Sequence, residues 1–301
     1  MTTRKLHGVV CASITPMHSD GSIDIASLRR LTQHLIKSGI HCLYPNGTNG
    51  ESIALNQDER FQIARTIHEE NAGRVALYVQ CGAGTVAESY AHVRYCAELG
   101  VDGVGLMSPI FFALDDLALM QYYDAIMDRH PDLSMYAYNI PTRAGNDIRP
   151  EVLGALMTRH ENLLGIKYSF PDIERIQAYL HCVPTRRPSV LIGCDSLALA
   201  CMAVGGDGWV SGPSAVAPKL YTALSDALTA GDIAKARETQ HAIVRLAQSI
   251  AGIPEIPAIK YLLMKQGIIE SEACRAPLRP LTPPERARLD CLLEEIDGAL
   301  G

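Results

Sequence analysis

The chain has 301 residues, of which 48% are hydrophobic and 20% charged, and its formal net charge is −6. That length and apolar content suit either two domains or one large α/β domain with a sizeable core. With no basic stripe to neutralise phosphates and no apolar run long enough to span a bilayer, neither a nucleic-acid nor a membrane partner is expected.

Short apolar runs alternate with amphipathic stretches along the chain. Strands are expected at 9–15, 42–46, 76–81, 103–108, 135–139, 163–167, 189–193 and 208–211. Helices are expected between them, at 25–37, 57–69, 86–98, 115–129 and 173–181 among others. Strands that are apolar throughout and separated by crossover helices indicate a parallel sheet covered on both faces. Eight such units in about 220 residues fit a (β/α)8 TIM barrel better than an open doubly wound sheet. Lys37-Ser38-Gly39, Glu98-Leu99-Gly100 and Val204-Gly205-Gly206 read as helix C-caps feeding the next strand. From about residue 216 the pattern is helical only, with a helix start at Asp232 and Pro-punctuated joints at 252–257 and 276–284. The expected organisation is an α/β barrel over 1–225 and a C-terminal helical extension over 226–301, together one folding unit.

The first seven residues lead straight into a strand-like run, and no signal-peptide core is read there. The nine cysteines include no Cys-x-x-Cys pair, and Cys11, Cys42, Cys81 and Cys194 lie inside apolar strands. Buried, reduced thiols and a reducing cytoplasm are therefore expected. No metal and no cofactor is expected.

In such barrels chemistry sits at the C-terminal ends of the strands. Lys167 closes the apolar run Leu163-Leu164-Gly165-Ile166-Lys167. Burial strips water from an ammonium and favours the neutral amine, which attacks a ketone to form a Schiff base. One strand earlier Tyr138 offers a phenol able to move protons at that adduct. The second strand ends in Pro45-Asn46-Gly47-Thr48-Asn49-Gly50-Glu51, where exposed backbone N–H groups suit a carboxylate. Arg143 follows the fifth strand, Ser169 the sixth, Asp195-Ser196 the seventh, and Ser211 ends the eighth. Each has a structural alternative. Lys167 can snorkel its charge to water, Tyr138 can be a core aromatic, and Thr48 and Asn49 can satisfy a tight turn. Arg143 can be a surface arginine, Ser169 and Ser211 structural hydroxyls, and Asp195 a helix cap. The helical histidines His34, His68, His92 and His241 are expected on solvated faces.

Gly47-Thr48-Asn49-Gly50-Glu51, Tyr138-Asn139-Ile140-Pro141-x-Arg143-x-Gly145 and Gly165-Ile166-Lys167 resemble the signatures of the dihydrodipicolinate synthase / N-acetylneuraminate lyase family. Thr15-Pro16 before Asp20-Gly21, Ser108-Pro109, Gly205-Gly206-x-Gly208 and Ile256-Pro257-x-x-Lys260 extend the resemblance over nearly the whole chain. It implies class I aldolase chemistry in which Lys167 condenses with pyruvate or another 2-oxo acid. Tyr138 would relay protons, linked to the site by Thr48, and the backbone of Thr48 and Asn49 would hold the substrate carboxylate. Arg143, Ser169 and Val210 complete the expected substrate-binding set. The resemblance also implies a homo-oligomer, a tetramer or a dimer, with Phe111 or Phe112 near a subunit contact.

Two departures narrow the reading. Where the synthases carry a tyrosine that completes a Tyr–Thr–Tyr relay, this chain has Phe111, which opposes authentic 4-hydroxy-tetrahydrodipicolinate synthase activity; Arg143 points the other way. Ser196 stands where sialic-acid lyases carry an acidic residue. The expected function is a Schiff-base lyase of aldolase or dehydratase type acting on a small 2-oxo acid. The alternatives are the authentic synthase, a 4-hydroxy-2-oxoglutarate aldolase, a cyclic imino acid deaminase and, from a different class, a barrel that only binds a 2-oxo acid.

Overall fold

The computed structural model describes residues 4–300, with side chains through Ile296. Eight strands, β1 (Gly8–Cys11), β2 (Cys42–Leu43), β3 (Ala76–Gln80), β4 (Gly103–Met107), β5 (Ser134–Asn139), β6 (Leu163–Tyr168), β7 (Ser189–Ile192) and β8 (Gly208–Ser211), close into a barrel in sequence order. Neighbours from β2 through β8 pair in parallel. Nearly every strand residue is buried, as expected when a parallel sheet is covered on both faces. Two strands, β1 and β2, are shorter than the sequence suggests by more than one residue. Past β1 the Ser13 N–H turns back onto the Cys11 carbonyl. Past β2 the chain meets Pro45, which has no N–H to give a ladder, and then Asn46 at φ 59°.

The helices are α1 (Ile25–Lys37), α2 (Gln57–Asn71), α3 (Val86–Leu99), α4 (Asp116–Met127), α5 (Pro141–Ala144), α6 (Pro150–Arg159), α7 (Ile173–Leu180), α8 (Ala198–Ala203), α9 (Pro218–Thr229), α10 (Ile233–Ile250), α11 (Glu255–Lys265) and α12 (Pro283–Leu300). Their starts follow local chemistry. Asp24, Thr85, Asp115, Asp172 and Asp232 accept backbone N–H groups at the first turns of α1, α3, α4, α7 and α10, and Asn56 with Glu59 forms a capping box on α2. Asp115 is thus a cap, which is why α4 begins one residue later than its apolar pattern suggests.

Packing divides the chain into two compact units. The first holds the chain up to Val10, Cys42–Tyr44 and Ala76–Val210; the second holds Cys11–His41, Pro45–Val75 and the chain from Ser211 onward. In the first unit the barrel core is built from tyrosines set against glycines. A Cβ on Gly103 would lie 2.3 Å from Tyr78 Cε1, and one on Gly105 would lie 1.7 Å from the Tyr44 hydroxyl. The alternation Gly103-Val104-Gly105 is thus the space that lets two large rings enter the barrel. Tyr78 in turn meets Tyr136 edge-on, with centroids 5.4 Å apart.

In the second unit Lys260 and Glu51 form an ion pair with both side chains fully buried. The Lys260 ammonium also donates to the Ala273 carbonyl at 2.7 Å, and the Glu51 carboxylate accepts the Arg275 N–H at 2.9 Å. Among the described residues no single helix is long and apolar enough to cross a membrane.

Candidate active site

Lys167 and Tyr138 are the penultimate residues of β6 and β5, and the parallel register sets them directly opposite one another. A register shift at Met135/Tyr136 achieves this. Met135 pairs with Leu163 but Tyr136 pairs with Gly165, so Leu164 is skipped. Without that shift Tyr138 would face Ile166, and Lys167 would lie one step out of phase on the other face of the sheet. Gly165 itself is required, because a Cβ there would fall 1.7 Å from the Ser189 carbonyl oxygen on β7.

The Lys167 side chain is buried, and its Nζ lies 3.8 Å from the Tyr138 ring centroid and 4.9 Å from that of Tyr44. The two rings meet edge-on with centroids 6.4 Å apart. Among the described residues no carboxylate forms an ion pair with Lys167. A buried amine normally demands a countercharge; here its neighbours are aromatic faces. Burial, with smaller contributions from Tyr138 and Cys81, pushes the Tyr44 phenol well above its usual range.

Ser169 is half-buried just past β6, its N–H bonded to the Asn139 carbonyl at 2.8 Å. A Cβ on Gly193 would lie 2.0 Å from the Ser169 hydroxyl, so glycine at the end of β7 makes room for it. Cys194 follows, half-buried, its thiol pushed up to about 11 by burial and then by Asp195. Asp195 begins a one-turn 3-10 helix, Asp195–Leu197, with Cys194 at its cap position. Val210 is buried in β8. Arg143 lies exposed on α5, with no ion pair or side-chain hydrogen bond among the described residues.

Thr48 and Asn49 belong to the second unit, in the turn that follows Pro45. Asn46 and Glu51 bracket it at φ 59° and 57°, and the Glu51 N–H donates to the Thr48 carbonyl at 3.0 Å. Thr48 is half-buried and Asn49 buried. The Asn49 amide packs on Gly212, where a Cβ would lie 1.7 Å from its nitrogen. Ser211 caps a turn, its hydroxyl accepting the Ser214 N–H at 3.0 Å.

Phe111 is 90% exposed at φ 79° and stacks edge-on with Phe112. Asn146 holds this loop through the carbonyls of Pro109 and Phe112. His92, expected on a solvated face, is buried with Nδ1 3.2 Å from the Cys81 carbonyl, because α3 turns that face inward. His18, Asp24 and Glu270 bring ligand-type atoms within 4.8 Å. Both Asp24 oxygens already serve Ser27, and Glu270 pairs with Arg30.

Tyr44 is the residue that sequence reasoning missed. It lies within the stretch expected as the second strand, just past the observed end of β2, and the hint of its placement is the glycine pair in β4 that leaves room for its ring.

A buried amine and a phenol at the C-terminal ends of neighbouring barrel strands define a class: barrel lyases that work through a lysine Schiff base. The chain belongs to the dihydrodipicolinate synthetase family, whose model matches residues 5–296. An uncharacterized DapA-like lyase of Halobacterium salinarum is 30% identical over 291 residues, covering 97% of this chain and 94% of that protein. A 4-hydroxy-tetrahydrodipicolinate synthase of Acidovorax sp. is 32% identical over 288 residues, 96% of each. Among solved structures, dihydrodipicolinate synthase from Aquifex aeolicus superposes with a TM-score of 0.92 at 26% identity, covering 97% of this chain and 98% of that one. A prophage protein of the dihydrodipicolinic acid synthase family from E. coli, solved in complex with pyruvate, matches with the same figures. The chain is accordingly a Schiff-base-forming lyase.

Proposed function

We propose that this lyase acts on a small 2-oxo acid, pyruvate or a 2-oxo dicarboxylate, and that Lys167 is its Schiff-base lysine. The observation that carries the reading is the buried Lys167 amine, opposite Tyr138 in register and, among the described residues, without a carboxylate partner. The amine adds to the ketone carbon, the carbonyl oxygen leaves as water, and a C=N bond to Lys167 remains. Tyr138 gives and takes the protons these steps move. The protonated adduct draws electrons from the neighbouring carbon, which can then lose a proton, a carboxyl-bearing fragment or water.

Family membership, rather than a measured distance, supports assigning the substrate carboxylate to the backbone of Thr48 and Asn49, and the relay link to Thr48. Ser169 and Val210 complete the proposed binding set. Arg143 has an exposed guanidinium with no ion pair among the described residues, which suits a second carboxylate. The same arginine favours the authentic synthase as a second reading, which Phe111 opposes by lacking a hydroxyl. The chemistry needs no cofactor or metal. A reducing cytoplasm is supported by the nine cysteines, all of them free thiols. A homo-oligomer is supported by the exposed Phe111 and Phe112.

Borohydride reduction in the presence of pyruvate tests the assignment. One reduced adduct on the peptide holding Lys167 is expected, lost in Lys167→Ala. Adduct on Lys260 or Lys219 instead would sink it. A panel of 2-oxo acids, trapped the same way and read by mass spectrometry, then ranks substrates.

A further inference from the structure

We infer that Tyr44 is a further catalytic residue, whose ring keeps the Lys167–substrate iminium nitrogen protonated; the inference rests on the Schiff-base reading above. The iminium draws electrons only while its nitrogen carries a proton. When the neighbouring carbon loses H⁺, the C–H pair becomes the new C=C bond and the C=N pair returns to nitrogen, giving an enamine. A neutral imine is a far weaker sink. Yet burial opposes any cation at this position.

Something must offset that burial, and the geometry identifies it. Nζ of Lys167 lies over the faces of two rings, Tyr138 at 3.8 Å and Tyr44 at 4.9 Å, which meet each other edge-on. A ring quadrupole attracts a cation but cannot take its proton, whereas a carboxylate could do both. Among the described residues the Tyr44 hydroxyl is buried without a hydrogen-bond partner, and it lies against Gly105, so it is the ring that faces Lys167. The Tyr44 ring faces the reacting nitrogen at 4.9 Å, and Gly105 is the residue that admits it.

Among the described residues, the ionisable groups that act on this nitrogen are Tyr138 on β5, Tyr44 after β2 and Cys194 after β7, and Cys81 and Tyr123 act on Tyr44. Burial lifts the Tyr44 and Tyr123 phenols well above their usual range and the Cys194 thiol to about 11, so these stay neutral through the range to be scanned.

Cyanoborohydride reduces a protonated iminium and spares a neutral imine. At saturating pyruvate, the fraction of Lys167 trapped should fall on the alkaline side with the midpoint of the imine nitrogen. Removing a cation-stabilising face favours the neutral imine, so Tyr44→Leu should move that midpoint down by about 0.4–1.5 pH units. Tyr44→Phe, which keeps the ring, should hold the midpoint at the parent value, whatever happens to the rate. Should Tyr44→Leu not fold, 3,4,5-trifluorophenylalanine at position 44 keeps the shape and drains the ring, with the same downward shift expected. Repeating the pair in a Tyr138→Phe background removes that phenol as the titrating group. A midpoint unmoved by loss or draining of the ring, or moved equally by Tyr44→Phe, would overturn the inference while leaving the adduct intact. No parental Lys167 adduct at any pH would overturn the Schiff-base reading, and this inference with it.

Discussion

Tyr138 and Lys167 face each other across β5 and β6 because the ladder between these strands shifts register at Met135/Tyr136. In a parallel pair, residues in register project to the same side, so the shift alone decides whether phenol and amine share a face. The 3.8 Å separation of Nζ from the ring centroid follows from that single skipped residue.

Tyr138→Phe should lower kcat by about 10²–10⁴-fold, the usual worth of a positioned acid–base group. KM should change little if the hydroxyl acts mainly in the transition state. Steady-state kinetics on the best substrate of the panel checks this. Near-normal turnover would reduce Tyr138 to a packing residue.

Gly165→Ala should damage the site through the backbone. Its Cβ would land 1.7 Å from the Ser189 carbonyl oxygen, a backbone atom that cannot rotate away. β6 must then shift against β7, carrying Lys167 with it. A lowered melting temperature together with a borohydride adduct reduced at least tenfold is expected, about 1.4 kcal/mol or more of misplacement. An adduct at parental level would show that β6 absorbs the methyl group without moving the amine.

Arg143→Lys should separate the two substrate classes. A guanidinium grips a carboxylate through two parallel N–H groups that an ammonium cannot reproduce. Catalytic efficiency toward a 2-oxo dicarboxylate should fall while the pyruvate adduct forms as before. Equal losses for both would mean that Arg143 supports the site in some other way.

Phe111→Tyr tests the departure from the synthases. The parent should condense pyruvate with aspartate semialdehyde slowly while still forming its Lys167 adduct. The tyrosine should raise that condensation, since a positioned proton-transfer group is worth on the order of 10²-fold or more. A parent turning over at about 10 s⁻¹, ordinary for an enzyme, and unchanged or lowered by the tyrosine, would make the synthase assignment the better one.

Lys260→Met should destabilise the protein by about 3–5 kcal/mol, because it strands the buried Glu51 carboxylate without its countercharge. The double variant Glu51→Gln/Lys260→Met, which removes both charges, should recover most of that loss. Urea unfolding of the three proteins measures it. A double variant no better than the single one would mean that the charges themselves are not what the pair contributes.

Much of this molecule was legible in the chain. Uninterrupted apolar strands and the helices between them specify a parallel barrel, because only a sheet covered on both faces tolerates that pattern. Lys167 stood out because a lysine ending such a strand has lost its water. Strand ends were less legible: β2 stops early because Pro45 and the left-handed Asn46 leave the ladder, a backbone event that an apolar run conceals. Only tertiary structure decided the rest. It set the Met135/Tyr136 register shift that turns Tyr138 toward Lys167. It set Tyr44 beside both in the space above Gly105, and it buried Glu51 with Lys260, 209 positions away. Periodicity reports which face a residue takes within its own element. Which residues of different elements meet is settled by register and close packing, and those depend on the whole barrel closing at once.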